Sequence, residues 1–466
     1  MAAASARANN RTISLDSWAF VVLAAAQVTL IAAITAITVA LPAIGRELNL
    51  DQSGLVLVSS GYGVSFGGLL LLGGGLADRF GRRRVFAAGM TGFCLGSAGA
   101  AVAPWAWFLV TARLAEGAAA ALAAPAALAL LGTVFPDPRR HGRALATWGV
   151  LSSAGAIAGL VLSGVLPWRW VLAALALIAA IAVAVTPTVL PAGPASARGR
   201  LDWPGALLAT AGLALLIYGL QRSVWVAGAG LAVLVMFGLA ERRSAAPLVP
   251  PPLLRRRALP LAAVLVCAGS MATAFFLLSL YLQQSRGLSG PRTSALFLLT
   301  VPAAVGAGPL AARLIGRFGI RPVLVAGLLT AAGGLLLVSF IGAPYAGLLV
   351  FPFGTGLSFA ASVSAVMQDA GDRQSGLAGA LVNAAMETGP PLGLAVLTRV
   401  AASFGDPFAL RSAAVLLLVV ALSTTQSPCQ PPSGGTRHDP SIHRQGSPRY
   451  RRRIRHRPGS RPRLRP

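Results

Sequence analysis

The chain of 466 residues is 55% hydrophobic and 11% charged, with a mean hydropathy of +0.72, whereas a soluble globule carries about a quarter charged residues, so that class is excluded. Its formal charge of +26 comes entirely from arginine, lysine being absent; eleven arginines lie after residue 436 and most others fall in short turns between apolar runs. That is the topology signal of a membrane protein and not a stripe for nucleic acid, so the implied surroundings are the lipid bilayer, with no nucleic-acid partner.

Apolar runs near the ~20 residues needed to cross a bilayer fall at 18–41, 54–76, 85–103, 107–131, 144–166, 170–190, 204–220, 224–240, 259–282, 294–312, 322–341, 345–368, 376–398 and 408–423. The composition predicts an all-α polytopic membrane protein of about fourteen spans. The first run spans and closes at Leu41-Pro42 without a small-x-small site, which argues against a cleaved signal peptide. Starting inside, the inner turns and the N-terminal Arg7 and Arg11 hold twenty arginines, and the outer turns hold seven: Arg46, Arg169, Arg222, Arg286, Arg292, Arg399 and Arg411. The bias predicts an inner (cell) membrane protein with both termini in the cytoplasm.

The turn after the second run, Gly74-Gly-Leu-Ala-Asp-Arg-Phe-Gly-Arg-Arg-Arg-Val-Phe-Ala-Ala-Gly89, is read as a loop reversing at its glycines. Much of it returns after the tenth run as Arg317-Phe-Gly-Ile-Arg-Pro-Val-Leu-Val-Ala-Gly327. A repeated turn at one topological place implies a duplicated bundle. The expected organisation is a cytoplasmic N-terminus (1–17), a six-helix bundle (18–190), a linker carrying inserted helices 7 and 8 (191–258) and a second six-helix bundle (259–423). A basic tail (424–466) follows. The insert is fenced by Pro191-Ala-Gly-Pro194 with Arg198 and Arg200, and by Pro247 to Pro252 with Arg255, Arg256 and Arg257. The last run is short, and the abrupt change beyond it to Arg, Pro, Ser, Gln and His suggests a frame shift or a truncated final helix. The alternative is a disordered basic tail on anionic lipid.

The segment Gly74-x-Leu76-Ala-Asp78-Arg79-x-Gly81-Arg82-Arg83 resembles the signature loop of the major facilitator superfamily, within it the fourteen-span drug:proton antiporters. Supporting residues are Leu41-Pro42, Arg113 with Gly117, Trp168-Arg-Trp170, Tyr281-Leu-Gln-Gln284, and Leu377 to Asn383 with Gly389. The resemblance implies a major facilitator fold of two six-helix bundles plus two inserted helices. It implies proton-coupled export of amphipathic, drug-like small molecules by alternating access. It also implies that Asp78 pairs across the bundle interface in the outward-open state, and that Arg113 takes part in proton coupling. Two departures bear on this. Family members often carry an acid mid-way along span 1, where this chain has Ala33, and the glycine-rich span-5 pattern has Leu160 where a proline is usual. Positions that are commonly glutamine are here Glu116 and Glu387.

Ionisable side chains at membrane depth are costly unless they face a cavity or a partner. Arg113 and Glu116 are three apart on one helix and can pair; either they only neutralise each other, or Glu116 takes up and releases the coupling proton beside Arg113. Glu387 precedes Gly389-Pro390-Pro391, where prolines are expected to interrupt the helix and free carbonyls at a substrate cavity. It either attracts cationic substrates there or reaches water near a helix end. Asn383, one turn earlier, either adds a hydrogen bond to substrate or bonds between helices. Asp78, among four arginines, is either a simple loop charge or, with Gly74, Arg79, Gly81, Arg82 and Arg83, a conformational switch. Phe275, Phe276, Tyr281, Phe351, Phe353 and Phe359 supply aromatic surface, of which one or two could line a pocket.

An intramembrane enzyme needs a nucleophile with a base, an aspartate pair or a histidine cluster; the spans hold none. Without lysine there is no Gly-x-x-x-x-Gly-Lys loop for ATP. The scattered Cys94, Cys267 and Cys429 have no metal spacing. The reading is therefore a monomeric secondary transporter with no cofactor and no metal, moving protons and a small molecule. Proton-driven metabolite uptake and a transport-inactive sensor stand as alternatives.

Overall fold

The computed structural model describes residues 2–192, 202–243, 251–341, 344–368 and 372–426. Of the expected features, Arg198, Arg200, Pro247 to Pro250, Cys429 and tail residues 427–466 lie outside the described residues, as do the side chains of Arg7, Arg11 and Arg255 to Arg256.

The described residues are nearly all helical. The first half comprises α1 (Ala2–Glu47), α2 (Gln52–Phe80), α3 (Arg82–Ala101), α4 (Ala106–Val134), α5 (Pro138–Val165) and α6 (Trp168–Val189). A hairpin follows, α7 (Trp203–Arg222) and α8 (Val224–Arg243). The second half comprises α9 (Pro251–Leu280) with a π-helical turn at Tyr281–Ser285, α10 (Gly290–Leu298), α11 (Thr300–Phe318), α12 (Ile320–Ile341), α13 (Pro344–Met367), α14 (Asp372–Phe404) and α15 (Asp406–Gln426). Eleven segments are long and apolar enough to cross a membrane, α10 and α11 forming one of them. Helices α3, α5 and α14 occupy the places of the other three expected crossings, so the arrangement is compatible with fourteen.

Packing repeats between the halves. In the first, α1 packs on α5 and α6, and α3 and α2 pack on α4; in the second, α9 packs on α14 and α15, and α12 and α11 pack on α13. The small residues of span 5 serve this contact, since Gly155 and Gly159 lie against α1 at Val28 and Ala32.

The structure corrects several local expectations. The basic stretch is not a loop: α2 runs through Asp78 and Arg79 to Phe80, and α3 starts at Arg82. Gly81 alone breaks the helix, at φ 94°, and Gly319 breaks α11 from α12 at φ 87°. Both conformations are open to glycine and strained for other residues. Gly74 lies inside α2. Helix α1 continues through Pro42 to Glu47, and α14 continues through Pro390 and Pro391. A proline inside a helix removes one donor without ending the helix when neighbouring helices hold the segment in place. Residues 251–258, read as linker, form the first turns of α9.

The last described helix also extends beyond its apolar run of 408–423. Helix α15 spans 21 residues, to Gln426, and is among the eleven crossing segments. Its end is capped: the Arg321 guanidinium donates to the Thr424 carbonyl at 2.6 Å and to that of Thr425. The first half does the same at the equivalent place, where Arg83 donates to the Leu190 carbonyl at 3.2 Å and the Pro187 carbonyl at 3.5 Å at the end of α6. A guanidinium beside the last carbonyls of a helix satisfies orphan acceptors and opposes the negative end of the dipole.

Candidate functional site

The two halves meet along two seams. In one, α2 crosses α14: a Cβ on Gly67 would stand 2.8 Å from Thr388 Oγ1, and one on Gly63 3.1 Å from Pro391 Cδ. In the other, α5 meets α10, where a Cβ on Gly164 would fall 2.8 Å from Ser294 Cβ. Further bridges lie toward the same end. Ser279 donates to the Thr38 carbonyl at 2.9 Å, and Gln283, within the π-helical turn, donates to the Val39 carbonyl at 3.1 Å. Toward the end that bears Gly81 and Gly319 the seam at α11 thins, and Gly306, Gly308 and Gly316 would have nothing within 4 Å of an added Cβ.

At the level of the α2–α14 crossing lies a small cavity of about 60 Å³ between the halves. Tyr62 of α2, Arg113 of α4, and Ile34 and Thr38 of α1 line it from the first half; Phe276 of α9 and Glu387 of α14 line it from the second. Arg113 and Glu387, read separately in the sequence, are thus brought to one cavity. Pro390 and Pro391 line it too. Lacking N–H groups, they leave the carbonyls of Met386 and Glu387 without their usual helical donors.

Arg113 is the largest fully buried side chain of the described residues. Its Nη1 donates to Glu116 Oε2 at 2.6 Å, one turn away on the same face of α4. Its Nη2 donates to the Ala33 carbonyl at 3.2 Å, so at the position where the resembling family often has an acid the main chain supplies the acceptor. The guanidinium carbon lies 4.9 Å from the centre of the Tyr62 ring, a cation–π contact. Tyr62 in turn donates to the Leu30 carbonyl at 3.2 Å. Arg113 Nε has no hydrogen-bond partner among the described residues.

Glu116 is fully buried and does not line the cavity. Its second oxygen accepts a hydrogen bond from Ser97 of α3. Both oxygens are therefore occupied within the first half. Glu387 is buried at 7% exposure, and among the described residues it has neither hydrogen-bond nor ion-pair partner. Asn383 is exposed and does not line the cavity; one turn from Glu387, it marks the direction of the thinning seam.

Asp78 is 65% exposed and faces only its own turn, 3.7 Å from Arg82. Arg82 also donates to the Ala129 carbonyl at 3.0 Å and to Thr133 Oγ1 at 3.1 Å near the end of α4. Together with Arg83 on α6, the basic turn clasps the ends of two helices of its own half. Arg79 stacks on Phe80 at 5.6 Å, as Arg317 does on Phe318 at 5.2 Å.

Sequence reading missed Tyr62, Ser97 and Ala272. A lone tyrosine amid small residues in span 2 was the available signal for the first; nothing local singles out the other two. Phe276 does line the cavity, and Phe275 packs edge-on against Phe297 with ring centres 4.7 Å apart. Another unread cluster joins the far ends of α1, α3 and α6. Glu47 accepts from Trp168 Nε1 at 2.7 Å and from Arg169 Nε at 2.8 Å, and Arg169 donates to the Ala101 and Ala103 carbonyls at 2.9 Å each.

Two repeated helical halves of membrane-crossing length, with a cavity between them that holds Arg113 and Glu387, define a multi-pass membrane transporter. The chain belongs to the Major Facilitator Superfamily, whose sequence pattern matches residues 23–394. It is 35% identical over 419 residues to the puromycin resistance protein pur8 of Streptomyces alboniger, covering 82% of this chain and 81% of the relative. It is 33% identical over 435 residues to the cephamycin export protein CmcT of Amycolatopsis lactamdurans, covering 84% and 88%. In fold it matches the crystal structure of the peptide transporter POT in complex with sulfate, at a TM-score of 0.68 and 16% identity, covering 87% of this chain and 93% of that one.

Proposed function

We propose that this chain is a secondary active exporter of amphipathic organic compounds from the cytoplasm, driven by inward proton movement. The observation that carries the reading is the cavity between the halves, where apolar walls surround Arg113 and Glu387. Relatives similar over about four-fifths of their length include one named for puromycin resistance and one for cephamycin export, which supports export of drug-like molecules. The arginine bias supports placing the Gly81 and Gly319 turns and both termini in the cytoplasm of a cell-membrane protein. With that orientation, the inter-half contacts at Ser279 and Gln283 close the outer end, and the thinning seam near Asn383 faces inward.

In this reading the protein works as a monomer. The Arg113–Glu116–Ser97 group keeps the first half's buried charges balanced while Arg113 Nε remains available to the cavity. Asp78, idle toward the second half here, gains a partner there when the inner end closes, so each arrangement is stabilised by its own contacts. Direction is tested in inside-out membrane vesicles. Exporters accumulate ethidium or puromycin inside such vesicles when their interior is acidified, and Asp78→Asn lowers that rate several-fold at equal protein level. Accumulation only under the opposite gradient would establish uptake instead.

A further inference from the structure

At the ends of α1, α3 and α6 away from Gly81, side chains fill the first half. Glu47 accepts from Trp168 and Arg169, Arg169 donates to the Ala101 and Ala103 carbonyls, and its guanidinium lies 4.3 Å from the centre of the Trp168 ring. The matching elements of the second half are α9, α12 and α15, since α12 packs on α15 as α3 packs on α6. There the place is open. A cavity of about 250 Å³ lies between Leu277 of α9, Tyr281 of the π-helical turn, Val338 and Ser339 of α12, and Asp406 and Leu410 of α15. Its size is near the lower end for small-molecule pockets, about 300 Å³. Asp406 is the one charged residue among the described lining residues, and its carboxylate has no ion-pair partner among the described residues. The helix dipole favours an acid in this first turn of α15. Arg411, further along the same helix, donates from Nε to Ser339 Oγ at 2.9 Å and does not line the cavity. A carboxylate and a tyrosine ring on apolar walls, with no base among them, fit a lipophilic cation: the acid meets its charge, the ring face adds a cation–π contact, and leucine and valine take its apolar body. A lipid head group fits less well, because no lining residue offers a base to its phosphate. The cavity also adjoins the contacts that join the halves. Tyr281 opens the π-helical turn, a wide turn frequent at functional sites, and Gln283 of that turn and Ser279 just before it donate to the Val39 and Thr38 carbonyls.

We propose that this cavity is a second binding site, on the outer face, for a lipophilic monocation, and that its occupant holds the outer end of the protein closed. The orientation rests on the exporter reading above. A cation packed between Tyr281 and Asp406 fixes the π-helical turn against α15 in the position from which Gln283 reaches Val39. Opening the outer end breaks that bond and releases the turn. The cation therefore binds the closed arrangement more tightly and shifts the equilibrium toward it. A cation that has been released outside and returns to this cavity slows its own export.

The test uses the purified full chain and radiolabelled benzyltrimethylammonium, a permanent monocation. Equilibrium dialysis should show saturable binding, weakened roughly ten-fold or more in Asp406→Asn at an unchanged unfolding temperature. Asp406→Glu should keep the binding, and so should Glu387→Gln, which alters the central cavity instead. Neopentylbenzene, the neutral isostere, should compete poorly. In cells loaded with ethidium, the probe added outside should slow efflux several-fold, and Asp406→Asn should abolish that slowing when each form is compared with its own rate without probe. Undiminished binding in Asp406→Asn, loss of binding in Glu387→Gln, or full binding with no effect on efflux would each overturn the proposal. Displacement of the probe by added phosphatidylethanolamine would make the cavity a lipid seat and overturn it too. If the chain moves no compound in cells, the exporter reading fails, while binding that depends on Asp406 and not on Glu387 still upholds the site.

Discussion

The contact between Arg113 and Glu116 follows from spacing alone: residues three apart on a helix share a face, and the pair is found at 2.6 Å with both members buried. What spacing could not supply is the third member, Ser97, because the register of α3 against α4 is set by packing between helices and leaves no local trace. The meeting of Arg113 with Glu387 was hidden for the same reason, since they belong to different halves. A buried ion pair adds little net stability, but removing one partner strands the other charge at a cost of about 3–5 kcal/mol. Arg113→Leu should therefore lower the thermal unfolding temperature of the purified protein markedly, and Arg113→Leu with Glu116→Leu should regain most of that loss. Both forms should be inactive in proton-coupled exchange, because the cavity loses its guanidinium in each. A double variant no more stable than the single one would show that Arg113 stabilises the fold through Tyr62 and the Ala33 carbonyl, and not through Glu116.

Helix existence was legible nearly throughout, since runs of some twenty apolar residues allow few other forms in a bilayer. Helix ends were less so. Arginine and proline suggest breaks at Asp78–Arg84, Pro42 and Pro390–Pro391, yet helix continues through or up to each of them. Arginines at a membrane boundary remain helical while their side chains reach water or neighbouring carbonyls, as Arg82 and Arg83 do. At the two repeated turns the helices end at the positive-φ glycines Gly81 and Gly319. Gly81→Ala and Gly319→Ala should each cost about 1–3 kcal/mol through backbone strain, whereas Gly74→Ala, helical and with its nearest neighbour 3.9 Å from the new Cβ, should be neutral or slightly stabilising. Thermal melts of the three variants check this, and a neutral Gly81→Ala would contradict it. Helix α15 extends to Gln426, and Arg321 donates to its last turn as Arg83 does to the end of α6 in the first half.

For the whole molecule, duplication was visible from one repeated turn, and the same pairing of helices recurs in the two halves. How the halves meet was not visible, because the seams are built from glycine, serine and threonine contacts with no compositional signature. At the α2–α14 crossing the backbones are so close that Gly67→Leu must force the seam apart. That variant should fold, each half keeping its own packing, and should lose roughly ten-fold or more in exchange rate at equal protein level. Unimpaired exchange would mean that the crossing is not a moving contact. The inserted hairpin touches both sides of this seam. Thr210 of α7 lies against Gly68, Arg222 pairs with Asp51 at 3.1 Å, and Gln221 donates to the Ala395 carbonyl of α14 at 2.9 Å. No such strap spans the α5–α10 seam among the described residues. Any rocking that keeps these α7 contacts must therefore swing like a book on its spine, and the page edge lies at α5 and α11. In the proposed orientation, an amphipath dissolved in the inner leaflet would then reach the cavity sideways from that edge, without first crossing into water.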